Sequence, residues 1–597
     1  MASLIEDYAL IGNCRGAGLV SKSGCMDWLC LPRFDSGAMF AALLGTEQHG
    51  SWRVAPATDL KSVKRRYRPG TLILESEMET EGGTVRVIDF MAPQTETAEV
   101  FRVVQGVTGQ VRMRSELTVR FDYGAVIPWA QPIDRGVRMT AGPDSIFCRT
   151  DARWELGDSG AIAEFIVGAG QQVAFELAWS PTHQPCPPEI NAQQALEDAT
   201  RWWQDWSGQC QYQGRWREDV LASLVVLKGL TYRPTGGIVA APTTSLPERL
   251  GGSRNWDYRY CWLRDATFTL YAFLVGGYVE EARAWRQWLV NAAAGVPSQL
   301  QIMYGIAGER RLTELELPWL PGYADSKPVR IGNAAYSQRQ LDVPGEIMEA
   351  LHLARRHGLA PSSEAWRVQC AVMEFLESAW QDTDEGIWEI RGKSRHFTHS
   401  KVMAWVAADR AVKEVEQFGL QGDVDKWRKL RDEIHAQVCA QGFNAQLGAF
   451  VQYYGGSEAD ASLLMLPLVG FVDAKDPRMR GTVKLIEEQL VHNGFVERYA
   501  THTNVDGLPA GEGAFLLCSF WLADNYALAG RHGEAHELFQ MLLALRNDVG
   551  LLAEEYMPRE RRMLGNFPQA FSHIGLVNTA RNLADVGGPA EDRAADI

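Results

Sequence analysis

The spacing of apolar residues changes once along this chain, and that change divides what the chain can fold into. From residue 1 to about 185, apolar side chains alternate in runs such as GTVRVIDFM, VFRVVQGV, RMRSELTVRF and QQVAFELAW, separated by Gly, Pro, Asp and Asn. A period of two places alternate side chains on opposite faces of an extended strand, so this half predicts an antiparallel β-sandwich. A proline-rich stretch, PTHQPCPP, then gives way to NAQQALEDATRWWQDWSG, which predicts a connecting helix. Beyond about 215 the period is helical. The expected organisation is a β-sandwich over 1–190, a helical linker over 191–214 and a helical unit over 215–590.

Twelve helical segments are expected in that last unit: 216–233, 265–277, 279–297, 342–357, 361–381, 399–418, 422–440, 458–469, 478–490, 512–529, 532–547 and 570–585. An even set in consecutive pairs suggests a toroid of inner and outer helices, an (α/α)6 barrel. An open solenoid is the alternative, although no motif repeats at fixed period. Polar and aromatic clusters precede or open the even-numbered segments: WDYRYCWLRD, GNAAYSQRQLDVPGE, FTHSK, QYYGGSEAD, LPAGEG, and AEEY with GNFPQAFSH. If alternate helices form the inner ring, all six clusters meet at one mouth. Loops on a rigid scaffold commonly carry catalytic side chains.

Composition narrows the chemistry. A chain of 597 residues, 46% hydrophobic, exceeds one compact core, and a net charge of -15 argues against nucleic acid or an anionic membrane as partner. A neutral or cationic small molecule suits it better. Twenty tryptophans are more than a core requires, and carbohydrate-active proteins are a natural home for the surplus. The start, MASLIEDYALIGNC, lacks the pattern of a signal peptide, and no apolar run approaches the ~20 residues of a membrane span. Ten scattered cysteines without a CxxC pair suggest reduced thiols in a cytoplasmic protein. Oligomeric state is not legible, and a homo-oligomer stays open.

Cleaving a glycosidic bond needs a proton donor for the departing oxygen and a second group acting at the anomeric carbon, roles that two carboxyls commonly fill. The mouth clusters offer Asp342, Glu346, Glu512, Glu554 and Glu555. Asp342 suits a helix N-cap, and Glu346 also fits a first-turn acid facing the helix dipole. Glu554 and Glu555 follow the apolar VGLLA, so they are not simply solvated loop acids. Arg264 and Asp265, flanked by Trp262 and Tyr258, suit sugar hydroxyls beside rings that stack on C–H faces. His396 and His399 lack a third ligand cluster, so no metal is expected, and Gly511 with Gly513 lacks the strand and spacing of a nucleotide site. No cofactor is expected.

With these residues in view, N-x-D-Y-x-Y-x-W-x-R-D, here Asn255, Asp257, Tyr258, Tyr260, Trp262, Arg264 and Asp265, resembles the sugar-binding segment of glycoside hydrolase family 15, the glucoamylase family. LLAEEY followed by GNFPQAFSHIGLVNTA resembles that family's catalytic-base loop and last inner helix, and QLDVPGEIMEAL resembles its acid-bearing segment in bacterial members. IEDYALIGNC with MDWLCLPRFDS resembles the trehalase-like N-terminal domain that bacterial members carry. The resemblance implies an inverting, exo-acting α-glucoside hydrolase on an (α/α)6 barrel. Glu346 would be the general acid and Glu554 the general base, with the two carboxyls about 6.5–9.5 Å apart around a water. Tyr258, Trp262, Arg264 and Asp265 would hold the terminal glucose, with Lys401 and Glu555 also on the substrate. Trp319, Tyr323, Arg330 and Asn333 lie in a segment long enough to wall the aglycone side. The expected substrate is α,α-trehalose. The alternatives are a glucoamylase- or glucodextranase-type activity on glucans or isomaltose, and a carbohydrate-binding protein without catalysis, which would not need two acids.

Overall fold

The computed structural model describes residues 2–93, 97–157 and 160–584. The ends of the last expected segment, at 585, and of the helical unit, at 590, lie outside the described residues.

The alternating half forms a 15-stranded antiparallel sheet folded on itself around one 21-residue strand, Ala98–Thr118. The first half of that strand pairs with Gly83–Phe90 and Gln172–Pro181, its second half with Ser51–Pro56 and Ala161–Gly168. Rings from the two faces meet between them: Trp52, Trp154 and Phe165 all contact Phe175, with centroids 5.6–6.2 Å apart. This is the expected sandwich.

Helix α1 (Ala192–Ser207) begins where Asn191 accepts a hydrogen bond from the Gln194 N–H. Its Ala195, Leu196 and Ala199 pack on Ile73, Ile88 and Phe101 of the sheet, whereas Trp206 stacks on Tyr278 at 4.1 Å and donates to Glu281. The helix is therefore packed against both halves of the molecule.

The expected segments appear as α2 (Arg217–Gly229), α3 (Leu263–Gly276), α4 (Val279–Ala293), α5 (Val343–Arg356), α6 (Ser363–Ala379), α7 (Thr398–Phe418), α8 (Val424–Gln441), α9 (Met465–Leu468), α10 (Pro477–Gln489), α11 (Leu516–Leu528), α12 (His532–Leu543) and α13 (Ala570–Asn582). Helices α3, α5, α7, α9, α11 and α13 touch in that order and α13 closes on α3. Closure selects the (α/α)6 barrel over the open solenoid. The two rings differ as their sequences require: α5 is buried from Val343 to Ala354, but α8 buries only Trp427, Leu430, Ile434 and Val438, one stripe of an amphipathic helix.

The sheet half docks on the back of the mouth loops. Trp28 Nε1 donates to the Pro242 carbonyl, Arg259 Nη1 to that of Ser36 and Trp319 Nε1 to that of Tyr123, at 2.8–3.0 Å. Among the described residues no helix is long and apolar enough to cross a membrane. All ten cysteines are unpaired.

At Gly345 helix α5 lies so tightly against α7 that a Cβ would collide with the Met403 carbonyl oxygen. Gly345→Ala is expected to cost about 1–3 kcal/mol of stability through overpacking, measured by denaturant unfolding. A neutral substitution would contradict this helix contact.

Candidate active site

At the mouth of the inner ring lies a pocket lined by Glu248, Trp256, Tyr258, Arg264, Asn333, Trp388, Glu389 and Arg498, among others. Carboxyls enter it from two sides.

Glu389 stands on one side, in the loop between α6 and α7. Its backbone lies in the left-handed region at φ 56°, a conformation that non-glycine residues hold only where neighbours impose it. Those neighbours are visible. Gln338 Nε2 donates to the carbonyls of Glu389 and Ile390, and the Arg391 N–H donates to the Asp506 carbonyl. The carboxylate accepts a 2.7 Å bond from Trp262 Nε1 and lies 3.7 Å from Arg264 Nη2. Burial raises its proton affinity, with Arg264 and Trp262 pulling the other way. Arg264 itself is shared: its Nε donates to Asp265 at 3.0 Å and its Nη1 to the Ile387 carbonyl.

Glu554 approaches from the other side. Its Oε2 accepts the Asn566 N–H at 3.0 Å, and a Cβ on Gly565 would collide with that oxygen, so the glycine at φ 72° makes room for the carboxyl. Glu554, Glu555 and Glu248 hold oxygens within 4.8 Å of one another, all buried. Three carboxyls so close cannot all ionise without a counter-charge. Arg498 supplies it, with Nη2 at 2.9 Å from Glu248, 2.7 Å from Glu512 and 3.4 Å from Glu555. Arg254 adds a second cation, bonded to Glu512 and Asp506. Burial and the Glu248 charge still push Glu554 up to about 8, against the Tyr258 hydroxyl and Arg498, and push Glu555 up as well. The strand Glu555–Met557 pairs with Ala514–Phe515, and Glu555 is tied down by the Gly513 N–H at 2.9 Å.

The expected site residues fall into two groups. Tyr258, Arg264 and Asn333 line the pocket, and Glu554 lies against two lining residues, Tyr258 and Glu248. The others stand behind it. Glu346 is 2% exposed in the first turn of α5, where its carbonyl accepts from Thr267 of α3, and it is absent from the pocket lining. The expected acid Glu346 is thus set into the helix wall, and Glu389 is the carboxyl that reaches the pocket on that side. Asp342 occupies the N-cap position of α5, but its side chain makes no capping bond. Trp262 is 2% exposed and supports Glu389 rather than facing a sugar, and Asp265 is buried against Arg264. Arg330 donates to the carbonyls of Ser253 and Asn255 and sits 4.7 Å from the Trp256 ring centre. Lys401 donates to the carbonyls of Trp380 and Asp382, Trp319 is bound to the sheet half, Tyr323 donates to the Ser3 carbonyl, and Glu555 belongs to the Arg498 cluster.

Sequence reasoning missed Glu389, Trp388, Glu248, Arg254 and Arg498. For Glu389 a signal existed: DEGIWEI places a tryptophan beside an acid just before the sixth segment, where only FTHSK had been considered. Glu248 and Arg498 had none, because nothing in LPERL or VERYA marks which charges are buried.

Carboxyls on and just behind the pocket wall, aromatic rings and fixed hydrogen-bond donors suit acid–base attack on a neutral, hydroxyl-rich molecule. The family model described as "Glycosyl hydrolases family 15" matches residues 214–581, and "Trehalase-like, N-terminal" matches residues 1–203. A protein named trehalase from Mycobacterium tuberculosis is 37% identical over 96% of this chain and 88% of its own length. Another named trehalase, from Thermoplasma acidophilum, is 34% identical over 95% of this chain and 98% of its own. A bacterial glucoamylase solved with acarbose superposes with a TM-score of 0.71 at 12% identity, covering 98% of this chain and 94% of that one, a likeness of fold.

The Arg498 cluster carries a direct test. Arg498→Met leaves buried acids unpaired and is expected to cost about 3–5 kcal/mol, measured by urea unfolding at pH 7, with Arg498→Lys costing less. A loss below about 1 kcal/mol would show that Arg498 does not hold the cluster.

Proposed function

We propose that this chain, which belongs to glycosyl hydrolase family 15 and is a glycosidase, hydrolyses α,α-trehalose to two glucose molecules with inversion at the attacked carbon. The observation that carries the mechanism is Glu389 on the pocket wall with Glu554 directly behind two other lining residues, Tyr258 and Glu248, from loops far apart in sequence.

In this account Glu389 is the general acid and Glu554 the general base. A water between Glu554 and the anomeric carbon attacks the face opposite the departing oxygen, giving its proton to Glu554 as the new C–O bond forms. The old C–O bond breaks, and its electron pair takes the proton of Glu389, leaving the second glucose neutral. Trp262 and Arg264 then hold the Glu389 carboxylate in place, and Glu554 acts in its ionised form, which burial and the neighbouring Glu248 charge make a strong proton acceptor. Tyr258 and Arg264 face the glucose being cleaved, and Trp256, Asn333 and Arg391 face the departing one.

Trehalose is favoured by the relatives named trehalase, which match over nearly their whole lengths. Ten unpaired cysteines accord with a reducing compartment, which we propose is the cytoplasm. We also place the boundary between the two halves within the linker 191–214.

Two outcomes check this. Glucose release from trehalose should exceed that from maltose, isomaltose and soluble starch in a side-by-side assay, and a preference for starch would return the reading to a glucoamylase. Glu389→Gln and Glu554→Gln should each lower kcat at least about 10³-fold while trehalose still binds by calorimetry, a loss of ~4 kcal/mol of transition-state stabilisation. Full turnover in Glu389→Gln, with loss in Glu346→Gln, would restore Glu346 as the acid.

A further inference from the structure

Behind the Glu389 side of the pocket lies a group of buried polar side chains that the mechanism above does not use. Asp342, 1% exposed, is one of them: neither carboxylate oxygen makes a full hydrogen bond, although the residue stands where a helix N-cap would bond the first turn. An uncompensated buried carboxylate is costly, so a nearby counter-charge is required.

The fold supplies one. The Thr267 hydroxyl on α3 donates to the Glu346 carbonyl on α5 at 3.2 Å, joining the two helices one turn in from Arg264 on one and from Asp342 on the other. Arg264 and Asp342 therefore sit at matching ends of packed inner helices, in each other's field. The loop carrying Glu389 hangs between them. The Leu341 N–H, next to Asp342, donates to Asp384 at 3.0 Å, and Arg264 Nη1 donates to the Ile387 carbonyl at 2.6 Å.

We propose that Asp342 is a positioning residue for the proton donor: with Asp265 it shares the Arg264 guanidinium, so that Arg264 holds Glu389 in place without drawing off its proton. Arg264 alone would favour the ionised form of Glu389, and an acid that has already lost its proton cannot protonate a departing alkoxide. Two anions in the field of both Glu389 and the guanidinium lower the latter's net pull.

The charged groups around Asp342 agree with this arrangement. Arg264 of α3 and Glu389 and Asp384 of the loop act on Asp342 directly, while from α7 His399 stands in the field of Arg264 and Lys401 in that of Asp384. Burial pushes His399 down to about 3, so it is neutral near pH 7, and Lys401 spends its ammonium on two carbonyls. Burial pushes Asp342 up to about 6, with Arg264 opposing, so it is ionised at and above neutral pH. Asp384, pushed up to about 7, is partly protonated there. Arg264 is thus the full cation available to Asp342.

The inference rests on Glu389 as the acid, and leaving-group dependence separates the two claims. Trehalose departs as a poor leaving group and needs the proton, whereas α-D-glucosyl fluoride loses fluoride with far less help. Asp342→Asn should lower kcat on trehalose about tenfold and change kcat on the fluoride, and KM for both, less than about twofold. Asp342→Ser, which also removes the charge and suits an N-cap, should behave alike. Parallel losses on both substrates, no loss on either, or failure of both variants to fold would overturn the proposal and make Asp342 structural or inert. Glu389→Gln in the same assay tells the failures apart. If it keeps trehalose turnover, the acid assignment is wrong; if it loses trehalose but keeps the fluoride while Asp342→Asn matches wild type, only the role of Asp342 is wrong.

Discussion

Everything at the mouth of this barrel depends on Arg498 being buried among Glu248, Glu512 and Glu555. Without a cation there, Glu248, Glu554 and Glu555, whose oxygens lie within 4.8 Å of one another, would have to take up protons or move apart. With it, Glu554 stays buried beside other acids with a raised proton affinity, and the strand Glu555–Met557 is fixed to the start of α11. One guanidinium thus sets both the local structure and the chemistry of one side of the pocket.

The opposite side works by a parallel principle with different parts. Arg264 is held by Asp265 and a backbone carbonyl, and Glu389 is held by Trp262 in a backbone conformation that its neighbours impose. One side crowds a carboxyl with other carboxyls, and the other moderates it with a shared arginine. Two acids in one pocket can therefore have different environments, as a donor and an acceptor must.

How much was legible beforehand follows from what periodicity can report. Apolar spacing found all twelve barrel helices, because a helix facing a ring on one side and solvent on the other writes that asymmetry every three to four residues, as Trp427, Leu430, Ile434 and Val438 show. The polar and aromatic clusters before alternate segments, rather than the apolar spacing, suggested which helices form the inner ring and so where the mouth lies. Apolar spacing could not find Glu389, whose loop has no period and whose orientation depends on bonds from Gln338 and Trp262, over fifty and a hundred residues away. Glu346 drew attention by opening an inner helix, yet the wall it occupies became visible only with α3 packed against it. The segment NWDYRYCWLRDA divides in the same way: Trp256, Tyr258 and Arg264 reach the pocket, whereas Trp262 turns inward to hold the acid.

The central claim is that a water lies between the anomeric carbon and Glu554 while Glu389 protonates the opposite side, and the configuration of the sugars released tests it most directly. Proton NMR within the first minutes of trehalose hydrolysis, before mutarotation, should show α- and β-glucose in equal amounts, because the attacked glucose inverts and the departing one keeps its configuration. Two equivalents of α-glucose would mean retention, and would contradict this arrangement of acid, base and water.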